Sequence, residues 1–184
     1  FVKPSQVGGT ECLQNMLGWV IHQDPSPGMV VYPTDTLGES IVVNRLRPML
    51  QASEPLRQRF RENDSTKAEL QFDGMYLSIV GSNSPSQLAS KAIRYLFLDE
   101  VDKYPGASKK EADPVSLARE RTKTFHNRKI FITSTPTLKT GHIWKAMEGA
   151  DVVKHYFVPC PHCGEYIELK WSQVKFPDEG MGST

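Results

Sequence analysis

Arg94-Tyr95-Leu96-Phe97-Leu98-Asp99-Glu100-Val101-Asp102 is an apolar run that ends in two adjacent carboxylates. Unbroken apolar sequence of this length reads as a strand of a parallel sheet, buried on both faces. Asp99 and Glu100 then stand at the strand's carboxyl end, where open α/β sheets bind ligands. In nucleotide hydrolases an Asp so placed holds Mg²⁺ on the phosphates, and a Glu directly after it suits a base that orients the attacking water. The plain alternative is a strand running into an acidic turn, and short motifs match by chance often enough that this stretch alone does not decide.

A second motif lies near the N-terminus. Lys3-Pro4-Ser5-Gln6-Val7-Gly8-Gly9-Thr10 falls on the Walker A template G-x-x-x-x-G-K-[ST], with two departures. Lys3 takes the first glycine position and Gly9 takes the lysine position, while Gly8 and Thr10 match. The backbone N–H groups of Gln6, Val7, Gly8 and Gly9 could cradle phosphate oxygens, and the Thr10 hydroxyl could reach Mg²⁺. Leu13, Met16, Leu17, Val20 and Ile21 then recur at helical spacing. The positive end of that helix would favour an anion. The usual lysine ammonium is missing, and Lys3 could supply it from the head of the loop. The alternative is a glycine-rich turn with no ligand.

A third element, Lys129-Ile130-Phe131-Ile132-Thr133, reads as another buried strand. It ends in the hydroxyl-rich turn Ser134-Thr135-Pro136-Thr137. Such a turn can sense a terminal phosphate, although Ser, Thr and Pro are common in ordinary turns. Each of the three signals ends or follows a strand, and together they outweigh any one of them.

Between these motifs the chain alternates strands and helices. Met29–Tyr32 and Met75–Val80 read as strands. Thr34–Leu50 reads as one helix with Leu37, Ile41 and Leu46 on its apolar face. Residues 51–73 read as a helix and surface loop, Pro85–Lys91 as a short helix, and Tyr104–Pro114 as a loop. Val115–His126 and Gly141–Glu148 read as helices. The alternation predicts an α/β fold with a mainly parallel central sheet flanked by helices, here of the P-loop NTPase type.

Several of these segments together resemble one family. They are Gln6-Val7-Gly8, Gly81-Ser82-Asn83-Ser84-Pro85-Ser86-Gln87-Leu88-Ala89-Ser90, Tyr95–Pro105, Thr133-Ser134-Thr135-Pro136 and Val158-Pro159-Cys160-Pro161-His162-Cys163-Gly164. They look like the lambda-type large terminase subunits of tailed phages. The likeness spans nearly the whole chain, and the Gly81–Ser90 and Asp99–Pro105 parts are its specific portions. The resemblance implies the ATPase half of a DNA-packaging motor, using ATP and Mg²⁺. It also implies a homo-oligomeric ring that meets double-stranded DNA, a small terminase subunit and a portal protein in the host cytoplasm. The nuclease domain of that family has no match here, so the chain reads as a fragment or truncated relative.

In this reading residues 1–152 are the ATPase domain and 153–184 begin a zinc-knuckle segment. Asp99 and Thr10 hold Mg²⁺, Glu100 orients water, Lys3 contacts phosphate, and Ser134 and Thr135 couple hydrolysis to movement. Two accounts of the loop stay open. Some relatives place the functional lysine at the head of the loop, where Lys3 stands; alternatively Gly9 is an inactivating change. A helicase-like ATPase and a non-hydrolysing nucleotide- or DNA-binding assembly module are the other functions weighed.

Composition fits a soluble intracellular domain: at 184 residues, 39% hydrophobic and 23% charged, one sizeable core is expected. No apolar run is long enough to span a bilayer, so no membrane partner is expected. The net charge of +1 advertises no global field for DNA. A local basic surface could come from Arg57, Arg59 and Arg61 or from Lys109 and Lys110, though both groups read first as solvated faces. Arg45, Arg94, Arg119 and Arg121 are the arginines weighed for a phosphate-contacting finger, with Lys91 as a weaker substitute. Asp102 and Lys103 read as surface or supporting groups.

Cys160 and Cys163, in Cys-x-x-Cys-Gly between two β-like runs, suggest a zinc-ribbon-like segment. Two thiolates make only half a tetrahedral site; His155 is a weak third ligand. Cys12 reads as a small core residue. Trp19, Trp144 and Trp171 read as core or interface packing.

Overall fold

Four strands of nearly unbroken apolar sequence run parallel through the centre of the molecule. The computed structural model describes residues 1–106 and 112–175. Lys109 and Lys110 lie outside the described residues. The chain divides into two units, Phe1–Glu148 and Gly149–Thr184.

In the first unit the order is α1 (Gly9–Gln23), β1 (Gly28–Tyr32), α2 (Asp35–Ile41), a π turn (Val42–Leu46), α3 (Arg47–Ala52) and α4 (Glu54–Arg57). There follow β2 (Glu69–Phe72), β3 (Met75–Gly81), α5 (Pro85–Leu88), β4 (Tyr95–Asp99), α6 (Pro114–Glu120), β5 (Lys129–Thr133) and α7 (His142–Glu148). The sheet order is β2-β3-β1-β4-β5. Strands β3, β1, β4 and β5 pair in parallel, and β2 is antiparallel to β3. Val2 adds a parallel bridge to Ser134, just beyond β5.

Alternate residues of each strand feed two cores, one per face, as the strand period requires. Val30, Tyr32, Tyr95 and Phe97 pack with Leu13, Leu17, Val20 and Ile21 of α1 and with Val42, Leu46 and Leu50. Met29, Val31, Leu96 and Leu98 pack on the other face with Leu88, Ile93, Val101, Ala118 and Ile143. Each fully buried aliphatic chain here contributes about 1.5–3 kcal/mol relative to exposure. The mainly parallel α/β sheet expected from the sequence is therefore present.

Local differences have physical causes. The expected helix over Thr34–Leu50 is interrupted by the π turn, which Val42 and Leu46 anchor in the core, and Pro48 stands in the first turn of α3. Leu37, expected on the apolar face, is exposed. Residues 51–73, expected to lack a strand, contain β2. Its Glu-Leu-Gln-Phe alternation suits an edge strand, and the Asp73-Gly74 turn, with Gly74 at φ 80°, closes the hairpin onto β3. Cys12 is exposed, since the buried face of α1 runs through Gly9, Leu13, Leu17 and Val20. Trp19 is likewise on the solvent side of α1, Trp171 is exposed, and Trp144 is half-buried with its indole N–H on Glu148. Among the described residues no helix is long and apolar enough to cross a membrane.

The second unit is a two-stranded antiparallel hairpin, β6 (Phe157–Pro159) with β7 (Tyr166–Glu168). The Cys160–Gly164 turn closes it. Gly164 N–H donates to the Cys160 carbonyl at 2.8 Å, and Gly164 sits at φ 76°.

Candidate nucleotide site

The carboxyl ends of β1, β4 and β5 meet the loop that precedes α1. Lys3 leads into this loop. Its backbone N–H donates to the Ser134 carbonyl at 3.1 Å, which ties the loop's head to the end of β5. Its side chain is only 5% exposed, and Nζ donates to Glu100 Oε1 at 2.6 Å. The loop crest, Gln6 to Gly8, is exposed, with Gln6 at φ 60° and Gly8 at φ 79°. Val7 is also exposed there.

Gly9 begins α1 and is buried beneath the Lys3 stem. A Cβ at residue 9 would stand 2.2 Å from Lys3 Cδ and 2.4 Å from Cε. The two departures from the Walker A template are thus one arrangement: a side chain at residue 9 and the observed path of Lys3 exclude each other. Lys3 takes its ammonium across residue 9 to Glu100.

Thr10 follows, and its hydroxyl donates to Asp99 Oδ2 at 3.1 Å. Asp99 is buried, and its Oδ1 has no hydrogen-bond partner among the described residues. Burial pushes the Asp99 carboxyl above its ordinary range, the Glu100 charge adds to this, and the Thr10 bond and Lys3 charge only partly offset it. An orphaned, buried carboxylate oxygen beside a hydroxyl is a donor set that suits a hard divalent cation such as Mg²⁺.

Glu100 sits at φ 55°, a left-handed conformation that costs a non-glycine residue about 1–3 kcal/mol. Burial alone would raise its carboxyl, but the bond and charge of Lys3, with Lys103 3.4 Å away, outweigh burial and hold it below the ordinary value. It is therefore ionised at neutral pH.

Of the hydroxyl-rich turn, Thr135 and Thr137 line the cleft and Ser134 does not. Ser134 is fully buried; its Oγ accepts from the Asp102 N–H at 3.2 Å and donates to the Thr135 carbonyl at 3.1 Å. Asp102 does more than the sequence suggested. Its carboxylate accepts from Thr137 N–H at 3.0 Å, Thr137 Oγ1 at 3.2 Å and Ile143 N–H at 2.9 Å. It thereby joins the turn to the start of α7. Asn83 and Ser84, within the Gly81–Ser90 stretch of the resemblance, follow the carboxyl end of β3. There Asp35 accepts from Gly81 N–H and Ser84 Oγ, both at 2.6 Å.

Lys3, Gln6, Gly8, Gly9, Thr10, Glu100, Lys103, Thr135 and Thr137, with Glu11 and Arg45, line a cleft of ≈ 520 Å³. A neighbouring cleft of ≈ 410 Å³ shares Thr10, Arg45 and Glu100 and adds Asp99, Tyr32, Ser40 and Asn44. Tyr32 was not anticipated. It reads as a core strand residue in the sequence, and only the tertiary fold brings its hydroxyl to this end of the sheet.

Of the other arginines weighed, Arg94 is held bidentately by Asp24, at 2.7 and 2.6 Å, at the amino end of β4. Arg121 donates to the Ala89 carbonyl, and Arg119 lines a separate cleft. Lys91 is paired with Glu69 beneath the Tyr76 ring. Of the basic surface expected at Arg57, Arg59 and Arg61, Arg61 pairs with Asp73 and Arg57 donates to the Gln51 carbonyl.

In the second unit Cys160 and Cys163 share the hairpin turn. Backbone bonds from Cys163 and His162 lower the Cys160 thiol below its ordinary value. His155 is bonded to Glu168 at 2.8 Å rather than joined to the cysteines. Among the described residues no group of three or more His, Cys, Asp or Glu side chains could hold a metal. Two thiolates make only half of a tetrahedral zinc site.

Comparison with known proteins bears on this arrangement. The family described as phage terminase large subunit gpA, ATPase domain, matches residues 1–183. The terminase large subunit of Enterobacteria phage P21 is 24% identical over 184 residues, covering 96% of this chain and 28% of that protein. That of Escherichia phage lambda is 22% identical over 184 residues, again covering 96% and 28%. The crystal structure of the HK97 bacteriophage large terminase superposes with a TM-score of 0.67 at 12% identity, over 80% of this chain and 31% of that one, a likeness of fold. The chain spans under a third of the length of each of these proteins.

Proposed function

Since the chain belongs to the family of phage terminase large subunit gpA ATPase domains, we propose that its first unit is a P-loop ATPase that drives DNA packaging. The observation that carries this reading is the Lys3 ammonium on Glu100, passing directly over Gly9. It supports the head-of-loop lysine and weighs against a disabled loop.

In this reading ATP lies along the loop and the first turn of α1. The N–H groups of the exposed crest, Gln6–Gly8, with that of Gly9 and the helix's positive end, receive the phosphates. Asp99 and Thr10 would hold Mg²⁺, which supplies positive charge against the phosphate oxygens. Lys3 exchanges Glu100 for a phosphate oxygen when the nucleotide binds. That exchange frees the ionised Glu100 to accept a hydrogen bond from the attacking water and orient it. Thr135 and Thr137 face the phosphate end, and Asp102 connects them to α7, so Ser134 acts through Asp102 rather than by touching nucleotide.

The wider roles follow from the family. Residues 1–152 form the motor's ATPase portion, and 153–184 begin a connecting segment. The ring, the portal protein, the small subunit and the double-stranded DNA belong to the whole packaging assembly in the infected host cell. The test is Mg²⁺-dependent ATP turnover with and without duplex DNA. Turnover that rises with DNA supports a motor. Nucleotide binding with no turnover under either condition would leave an assembly module instead.

A further inference from the structure

The π turn carries an arginine to the rim of both clefts. Val42 and Leu46 fix the turn in the core, so Asn44 and Arg45 project to the solvent side. Single π turns inside helices are rare and concentrate at functional sites. Arg45 Nη1 donates to Glu11 Oε1 at 2.9 Å, and Glu11 lies in the first turn of α1, directly after Thr10. Both partners are largely open to solvent, at 51% and 62% side-chain exposure. A pair of this kind is held weakly.

A second observation points the same way. Tyr32 is fully buried, and its hydroxyl has no hydrogen-bond partner among the described residues. It lines the cleft that Arg45 and Asp99 share, where Asp99 Oδ1 is also unpartnered. That cleft thus offers a neutral donor, a carboxylate oxygen and a guanidinium around one space. The guanidinium and the hydroxyl suit a phosphate oxygen, and the carboxylate suits the Mg²⁺ that would accompany it.

We propose that Arg45 is a catalytic arginine acting within its own subunit, clasped by Glu11 until the terminal phosphate of ATP takes the guanidinium over. The inference rests on the nucleotide reading above and adds a residue to it. A phosphate can take the planar guanidinium through two parallel charge-assisted bonds, whereas Glu11 holds it by one solvent-exposed bond. Tyr32 then donates to the same oxygens or to the water between them. Glu11 is a positioning residue: it stores the arginine near the site and competes with the nucleotide for it.

The experiment compares the unmodified chain with Arg45→Ala, Arg45→Lys and Glu11→Gln. ATP turnover is measured alongside binding of a fluorescent ATP analogue without Mg²⁺, and thermal unfolding checks the fold of each variant. Arg45→Ala is expected to lower kcat by about a hundredfold or more while binding falls far less. Arg45→Lys is expected to recover only a small part, because a point charge lacks the planar fork. Glu11→Gln is expected to tighten analogue binding severalfold by removing the competitor. Full turnover in a folded Arg45→Ala overturns the proposal and leaves the ATPase reading intact. Unchanged or weaker binding in Glu11→Gln overturns the clasp. Absence of analogue binding by the unmodified chain overturns the nucleotide reading and this inference with it.

Discussion

The two ends of strand β4 are built on opposite principles. At the amino end the strand's own polar side chains are matched: Arg94 grips Asp24 bidentately, stacks 4.8 Å above the Tyr95 ring, and Tyr95 donates to the same Asp24 at 2.5 Å. At the carboxyl end polar groups are buried without partners, as at Asp99 Oδ1, Tyr32 Oη and Thr133 Oγ1, and Glu100 is held in a left-handed backbone conformation. Paired groups stabilise a fold, whereas unmatched ones cost stability and persist where something else must bind. The amino end therefore serves the fold, and the carboxyl end is where the proposed chemistry falls.

Substitutions at the two ends should separate along that line. The largest expected effect is Glu100→Gln, which removes the group proposed to orient water. Turnover should drop about a thousandfold while nucleotide binding persists; equal turnover would erase the functional half of the contrast. Next is Gly9→Ala, whose methyl meets the Lys3 stem and moves its ammonium off Glu100. A displacement of about 1 Å in a positioned group can cost about a hundredfold in rate, so kinetics showing no loss would mean that Lys3's path is unimportant. At the opposite end, Arg94→Ala should lower the unfolding midpoint by a few degrees and leave turnover per folded molecule unchanged. A folded Arg94→Ala with slow turnover would show that the ends are not separable.

The smallest effect is in the pH dependence of stability, and the two carboxylates carry opposite signs. The bond to Arg94, then that to Tyr95, pulls Asp24 below its ordinary 3.8. Its contribution is therefore fully present above that value and is lost as pH falls through the lowered one. Burial raises Asp99 above the same ordinary 3.8. The native state then holds the Asp99 proton more tightly than the unfolded chain does, so stability declines as pH rises from the ordinary value through the raised one, and the cost is complete above it. Unfolding measured from acid to neutral pH should show Asp24→Asn flattening the acid loss and Asp99→Asn removing the decline. Identical profiles for both variants would contradict the assignment.

Much of this arrangement was legible in the sequence, for reasons that residues make plain. The apolar runs of β1, β3 and β4 are buried almost throughout and leave no helical period to confuse them, whereas β5, expected to be buried, is the outermost strand, exposed at Lys129 and half-buried from Ile130 to Ile132. Asp99 and Glu100 follow because they end such a run. Strand β2 escaped because an edge strand alternates polar and apolar residues, although Asp73-Gly74 was its signal. The π turn escaped because Val42 and Leu46 also suit an uninterrupted helix. Arg45 was one of four equal arginines until the fold brought it beside Glu11, thirty-four positions earlier in the chain. The partnership of Lys3 with Gly9 was half visible: spacing showed the two departures, and only geometry showed that the Lys3 stem runs where a side chain at residue 9 would stand.

That partnership is the central claim, and ATP turnover of Lys3→Ala and Gly9→Lys beside the unmodified chain tests it most directly. The structure predicts an active unmodified chain, a loss of about a hundredfold or more in Lys3→Ala, and no gain in Gly9→Lys, where the new side chain meets the Lys3 stem. A silent unmodified chain that Gly9→Lys awakens, or full activity in Lys3→Ala, would contradict it.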